Sequence, residues 1–117
     1  MYIAIKYFRY RKDSSINSAT VFNSLDGVIE YAYETLSPEK RSKTEKLYIA
    51  FYKPRKPYKS NDITLISPSE LDINTSIYIE NALCEIVIGN DAYDDEEYGK
   101  CEARYGYSSY AIIVYEA

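Results

Sequence analysis

The sequence predicts an α+β domain, a mostly antiparallel β-sheet with one principal helix packed on one of its faces. Segments rich in isoleucine, valine and tyrosine lie near both ends of the chain, and one stretch between them has helical periodicity. The order strand, helix and then several strands is typical of this class. At 117 residues, with 46% apolar and 27% charged residues, the chain is expected to form a single domain over residues 1–117.

The first strand is predicted over residues 2–11. Apolar residues occur on both of its faces, with Ile3, Ile5 and Tyr7 on one side and Tyr2, Ala4 and Phe8 on the other. Two apolar faces indicate a central strand that a helix covers on one side. The polar residues 13–20 that follow are predicted to form a loop.

The helix is predicted over about residues 23–37. Apolar side chains recur there at helical spacing and form a single stripe of Leu25, Val28, Ile29, Ala32 and Leu36. Asn23 or Ser24 is the expected N-cap. Pro38 ends the helix, because proline disfavours helical geometry in the residue before it.

The middle of the chain is predicted to hold two further strands, over residues 46–52 and 63–66, separated by a basic loop that two prolines stiffen. Residues 67–70, Ser-Pro-Ser-Glu, form a capping box with proline at the first helical position, which predicts a short helical turn. Residues 75–88 fit both a strand pair and a helix. Strands are preferred, above all for residues 84–88.

The C-terminal part contains an acidic stretch followed by a predicted closing hairpin. Residues 89–99 hold five carboxylates within seven residues, with a glycine at each end, and are predicted to form an exposed loop. Residues 100–107 and 110–116 are predicted to be the two strands of the C-terminal hairpin, turned around residues 106–109.

The chain lacks the residues of common catalytic and metal sites. It contains no histidine, so the commonest general base, the usual triads and histidine-containing zinc sites are absent. A calcium loop begun at Asp91 fails, because Tyr93 and Glu96 stand where a ligand and a glycine are required. We therefore predict a protein that is not an enzyme and uses no metal or cofactor.

The expected compartment is the cytoplasm. The N-terminal residues run directly into a strand and have no secretory-signal pattern, and no apolar run approaches the ~20 residues needed to cross a bilayer. Cys84 and Cys101 are accordingly expected to remain reduced thiols, the first buried and the second an ordinary strand residue.

The charge distribution indicates a binding protein. Residues 1–60 carry 12 basic and 6 acidic residues, whereas residues 61–117 carry 2 basic and 12 acidic residues. Local pairing of these charges within one sheet would explain the asymmetry without any partner, and this alternative stays open. The first functional hypothesis is an acidic inhibitor that blocks the basic, nucleic-acid-binding surface of a target protein. Its predicted contact residues are Asp91, Tyr93, Asp94, Asp95, Glu96, Glu97, Tyr98 and Glu102.

Small acidic proteins of this kind are common among phage and mobile-element antagonists of restriction or CRISPR systems, and among toxin-neutralising immunity proteins. This is an analogy of size and charge. It extends the predicted location to the host cytoplasm for a phage-encoded protein.

Two alternatives use other surfaces. In the first, a nucleic-acid-binding protein uses basic residues interleaved with tyrosines, namely Arg9, Tyr10, Arg11, Lys12, Lys53, Arg55, Lys56, Tyr58 and Lys59. The net charge of −4 and the pI of about 4.9 count against it, since nucleic-acid-binding domains are usually basic. In the second, a structural protein self-associates, as a homodimer for example, through its oppositely charged halves.

Overall fold

The computed structural model describes residues 1–8, 16–36, 45–53, 58, 63–71, 81–107 and 110–117. The elements in chain order are β1 (Tyr2–Phe8), β2 (Ile16–Phe22), α1 (Leu25–Leu36), β3 (Glu45–Phe51), β4 (Thr64–Ile66), a 3-10 turn (Pro68–Glu70), β5 (Cys84–Asn90), β6 (Tyr93–Asp95), β7 (Gly99–Cys101), β8 (Arg104–Tyr105) and β9 (Tyr110–Glu116). The predicted α+β class is confirmed, with a mostly antiparallel sheet and one α-helix in the described residues.

Seven strands form one sheet in the order β2-β1-β9-β5-β3-β4, and β8 pairs with β5. β9 pairs with the first part of β5, Cys84 to Ile86, whereas β8 pairs with its end at Gly89 and Asn90. All described pairings in this sheet are antiparallel except that of β3 with β4. β6 and β7 form a separate two-stranded hairpin.

The sheet has an apolar cluster on each face, because β1, β3, β5 and β9 carry apolar side chains in both alternating directions. The stripe of α1 is buried in the first cluster, which contains Ala4, Leu25, Val28, Ile29, Ala32, Leu36, Leu47, Ile49, Ile63, Leu83, Cys84, Ile86, Ile88, Ile112 and Val114. The second cluster lies on the opposite face and contains Tyr7, Tyr48, Ala50, Ile66, Ala82, Val87, Ala111 and Ile113. Ser24 caps α1, since its hydroxyl accepts a hydrogen bond from the backbone N–H of Gly27 at 3.1 Å.

Among the described residues, one acidic side chain is fully buried. Glu85 lies on the second face and is 0% exposed. The hydroxyl of Tyr7 donates to its two carboxyl oxygens at 2.9 and 3.1 Å, and the hydroxyl of Tyr52 lies 3.4 Å from Oε1. Ala50 and Ile113 are its neighbours on the flanking strands. The second core is therefore built around a hydrogen-bonded carboxyl.

The prediction of a loop over residues 13–20 is wrong for residues 16–20, which belong to β2. Three of the five residues 16–20 are polar, so this part of the strand shows little strand periodicity of its own. It forms because it pairs with β1 and because its alternate residues contact α1: Ser18 and Tyr31 share a hydrogen bond at 2.9 Å, and the rings of Phe22 and Tyr31 lie 5.2 Å apart. Tertiary contacts thus supply what local propensity lacks.

Most of the other predicted elements are present in the structure. β1, α1, β3 and β4 match the expected segments within a few residues, and the backbone N–H of Ser67 donates to the Glu70 carboxylate at 2.7 Å, as a capping box requires. β5 confirms the preferred strand over residues 84–88, while residues 72–80 lie outside the described ones. The C-terminal strand pair is present in outline. Its first strand is divided into β7 and β8, which pair with β6 and β5, and its second is β9.

In the described part of the chain, none of the helices combines the length and the apolarity that a bilayer span requires. The α-helix has 12 residues.

Candidate functional site: an acidic hairpin beside a cleft

The acidic stretch is a β-hairpin and not the loop that we predicted. Gly89 and Asn90 belong to β5, and the residues after them form β6, a turn and β7, with Asp94 opposite Lys100. The carboxylate of Asp95 accepts hydrogen bonds from the backbone N–H groups of Glu97 and Tyr98 at 2.7 and 3.0 Å. Gly99 has φ 76°, a conformation that glycine adopts without steric cost. Local hydrogen bonds and this glycine therefore fix the shape of the hairpin.

Two of the predicted contact carboxylates are engaged within the protein. Asp95 closes the turn, and Asp91 pairs with the ammonium of Lys46 at 3.0 Å and accepts a 3.3 Å hydrogen bond from the hydroxyl of Tyr105. The hydrogen bond from Lys46 is the main reason that the pKa of Asp91 is lowered. Asp91 holds the base of the hairpin against the sheet and Asp95 closes its turn, so neither carboxylate is wholly available to a partner.

Tyr48 lies beneath this ion pair in the second core. It is fully buried, and its hydroxyl has no hydrogen-bond partner within 3.5 Å among the described residues. Burial, followed by the influence of the Asp91 carboxylate, raises its pKa. Its ring centroid lies 4.6 Å from that of Tyr105, so the two rings pack against each other under the start of the hairpin.

The other four carboxylates of the predicted contact set form no such bonds with the described residues. The side chains of Asp94, Glu96, Glu97 and Glu102 are exposed, and they make no hydrogen bond or ion pair within the described ranges. Tyr98, at the tip of the hairpin, is 77% exposed. The hairpin therefore presents three unpaired carboxylates and one exposed aromatic ring on a defined backbone, and Glu102 adds a fourth carboxylate directly after β7.

A cleft of about 700 Å³ separates the hairpin from the body of the sheet. Its walls are formed by Glu45, Asn90, Tyr93, Cys101, Glu102, Ala103, Arg104 and Tyr107. The hydroxyl of Tyr107 donates to the carboxylate of Glu45 at 2.7 Å, and burial together with this carboxylate raises the pKa of Tyr107. The guanidinium of Arg104 lies 5.5 Å from the centroid of the Tyr107 ring.

Tyr93 faces the cleft from β6, opposite Cys101 on β7. The neighbouring Cys101 thiol is the main reason that the pKa of Tyr93 is raised. Cys84 and Cys101 are both in the thiol form, the first buried and the second half-buried. Tyr93 and Glu102 thus line the cleft, whereas Asp94, Glu96, Glu97 and Tyr98 project from the hairpin.

Gly89 lets β8 approach β5 and so shapes the cleft. A Cβ atom at this position would lie 2.6 Å from the carbonyl oxygen of Arg104 and 2.9 Å from the Cα of Tyr105, distances that real Cβ atoms do not reach. A glycine in a strand interior often marks a close backbone approach of this type.

Most of the alternative basic site lies outside the described residues. This applies to Arg9, Tyr10, Arg11, Lys12, Arg55, Lys56 and Lys59. Lys53 is exposed, while Tyr58 packs its ring 6.2 Å from that of Phe51 and donates its hydroxyl to Asp26. The two described members of the set, Lys53 and Tyr58, do not form a basic surface by themselves.

Sequence reasoning missed the engagement of Asp91 and the burial of Glu85. Nothing in the sequence links Asp91 to Lys46, since the two are 45 positions apart and meet only through the pairing of β3 with β5. Glu85 did carry a signal, because it is a single charge within the apolar run Cys84–Ile88. A charge in a strand that is covered on both faces must be buried and hydrogen-bonded.

No group of three or more potential metal ligands occurs in the described parts of the chain. The arrangement around the hairpin offers charge and aromatic surface to a binding partner. Comparison with protein-family models, with curated proteins and with solved structures finds no match for this chain.

Proposed function

We propose that the protein is a non-enzymatic inhibitor that binds another protein through the acidic hairpin and blocks a basic, nucleic-acid-binding surface. The observation that supports this proposal is the set of four exposed carboxylates without partners, Asp94, Glu96, Glu97 and Glu102. Carboxylates that serve the fold, such as Asp91 and Asp95, are already bonded. The unpaired ones are therefore available for lysine and arginine side chains of a partner.

The local structure favours such binding energetically. The Asp95 turn and Gly99 hold the hairpin in one shape, so less conformational entropy is lost when a partner binds. Tyr98 supplies exposed aromatic area of the kind that often anchors interfaces. Unpaired carboxylates also steer a basic partner during approach, which raises the association rate at low salt.

The target would be a protein that binds nucleic acid through Lys/Arg contacts with phosphate, because those cations are what the hairpin carboxylates complement. Size and charge place the protein beside phage or mobile-element antagonists of restriction or CRISPR effectors, with toxin-neutralising immunity proteins as the related alternative. The site of action in either case is the cytoplasm of the cell that contains the target.

The test compares two variants with equal loss of charge. The hairpin variant is Asp94→Asn/Glu96→Gln/Glu97→Gln, in which Asp95 is kept because its carboxylate closes the turn. The control is Glu30→Gln/Glu34→Gln/Glu116→Gln, three exposed carboxylates on α1 and at the end of β9. We expect target binding to fall by about 10-fold or more in the hairpin variant and to change little in the control, with thermal midpoints near that of the wild type.

The target is first captured from bacterial lysate on the wild-type chain and identified. The decisive measurement is then displacement of labelled nucleic acid from the purified target, measured by fluorescence anisotropy with each variant. Equal displacement by the hairpin variant and the control variant would refute the proposal. Direct, salt-sensitive binding of single-stranded or double-stranded nucleic acid to the chain itself would instead support the basic-surface alternative.

A further inference from the structure

Among the described elements, none covers the outer edge of β2. β2 is the last strand of the sheet, and in the described part of the chain only β1 pairs with it. It is seven residues long and contains no proline, glycine or charged residue. The opposite edge differs, because β4 has only three residues and Pro68 follows it closely. Native proteins usually protect sheet edges with short strands, proline or charge, so β2 is the exception that requires an explanation.

Two apolar residues of β2 lie exposed on the face of the sheet away from α1. Val21 is 57% exposed and Ala19 is exposed, and both point away from α1, because Ser18 and Phe22 point towards it. On β1 they lie opposite Ile3 and Ile5, which are only half-buried. A strip of exposed and half-exposed apolar side chains therefore follows the edge on this face of the sheet.

The charge pattern favours a second copy of this chain as the occupant of the edge. Residues 16–25 contain no charged residue, although 27% of the chain is charged. In a two-fold interface the same surface of both copies is in contact, and a charge near the axis would therefore meet the same charge of the other copy. A neutral edge avoids this repulsion. It could not form ion pairs with a charged strand of another protein.

We infer that the protein forms a homodimer in which the β2 strands of two copies pair antiparallel about a two-fold axis at Thr20. With this centre, Val21 of one copy lies opposite Ala19 of the other, on the face away from α1. Directly opposite residues in an antiparallel pair share one face, so this register keeps the apolar strip continuous. The two sheets become one continuous sheet, in which the β2 edge of each copy is paired.

The first test measures mass against concentration for the full chain by sedimentation equilibrium, from about 1 to about 500 µM. Val21→Lys and Ala19→Lys place charges at the interface, and Leu65→Lys is the matched control, since Leu65 is 55% exposed on the opposite edge strand. We expect a dimer in the wild type and the control, and a dissociation constant raised by about 10-fold or more in both β2 variants. Circular dichroism and the thermal midpoint of each variant establish that it folds.

Each contrary result would overturn the inference. The first is a wild type that stays monomeric at every concentration, and the second is a dimer that persists in both β2 variants. The third is a dimer that dissociates when the salt is raised from about 0.1 to 1 M, because salt screens charge pairs and the proposed interface contains none. If the lysine variants do not fold, a cysteine cross-link tests the same interface. Oxidation of Thr20→Cys in a Cys101→Ser background should give a covalent dimer, whereas oxidation of Leu65→Cys in the same background should not. A lack of this cross-link would contradict the proposed register. The hairpin variant described above should remain dimeric, so the two proposals fail independently.

Discussion

Substitution of Tyr7 by Phe should destabilise the protein more than any exposed tyrosine substitution. Tyr7 is 1% exposed, and its hydroxyl donates to the carboxyl of Glu85, which is 0% exposed. Phenylalanine preserves the ring and removes the hydroxyl, so the change deletes the buried hydrogen bond to Glu85. The hydroxyl of Tyr52 lies at 3.4 Å, too far to replace the lost donor without a shift.

The magnitude follows from the burial of both groups. Removing one partner of a buried hydrogen bond costs about 1–3 kcal/mol, so we expect a loss of about 2 kcal/mol. For a chain of this length, about 2 kcal/mol corresponds to a fall in thermal midpoint of roughly 8–12 °C. Tyr98→Phe is the matched control, because this side chain is 77% exposed and its substitution should change the free energy of unfolding by less than about 0.5 kcal/mol.

Urea denaturation of the wild type, Tyr7→Phe and Tyr98→Phe measures the free energies directly. A double-mutant cycle with Glu85→Gln then isolates the contact: Tyr7→Phe should cost less in the Glu85→Gln background than in the wild type. If Tyr7→Phe is as mild as Tyr98→Phe, or costs the same in both backgrounds, the hydrogen bond to Glu85 does not stabilise the second core as we infer.

Two predictions concern pH. The pKa of Asp91 is lowered in the folded state, so its contribution to stability is present above the unfolded value of about 4 and is lost as the pH falls through the folded pKa. Lys46→Met should therefore lower the free energy of unfolding by about 0.2–1 kcal/mol at neutral pH, as expected for an exposed ion pair. Urea denaturation at several pH values should show this difference shrinking on acidification. A difference that is unchanged at about pH 3 would contradict the pairing of Lys46 with Asp91. Burial raises the pKa of Tyr48 and Tyr107, so their contribution is complete below the unfolded value of about 10 and is lost at higher pH. Tyrosinate absorbance of the native protein should accordingly show fewer than 15 tyrosines ionising near pH 10, with the rest ionising on unfolding, whereas a single native transition of all 15 would refute the burial argument.

The elements predicted correctly are those whose signal is local. The apolar stripe of α1 and the two apolar faces of β1 and β3 are visible in any short window of the sequence. β2 is different, because its stability comes from pairing with β1 and from contacts with Tyr31, which lies 9 or more positions away in the chain. The pairing of β8 with β5 also depends on a distant contact, the close approach that Gly89 permits.

In the candidate site, too, the features with a local sequence signal could be predicted and those that depend on distant contacts could not. Composition alone located the acidic segment, and the exposure of Asp94, Glu96 and Glu97 agrees with that reading. The hairpin itself had a local signal, since an aspartate followed by Gly99 after a short turn is typical of β-turn chemistry. The engagement of Asp91 could not be predicted, because it depends on the register between β3 and β5.

Under the proposed function, the acidic half of the chain has two distinct roles. Glu85, Asp91 and Asp95 are bonded within the fold, and their removal should affect stability. The exposed hairpin carboxylates have no such contacts, and their removal should affect binding alone. This distinction, and not the total negative charge, separates structural acidic residues from proposed functional ones.

The two proposed surfaces also lie apart in the sheet. β2 forms one edge, whereas the hairpin is attached beyond the end of β5, and β1 and β9 lie between β2 and β5 in the strand order. Pairing of two β2 edges would therefore leave both hairpins accessible, and the dimer would present two acidic sites to its target. Against a target with two basic sites within reach, such a dimer gains affinity by effective concentration without any new contact. Val21→Lys should then weaken inhibition of a two-site target while leaving the affinity for a single-site fragment unchanged, because it alters the number of linked hairpins and not the hairpin itself.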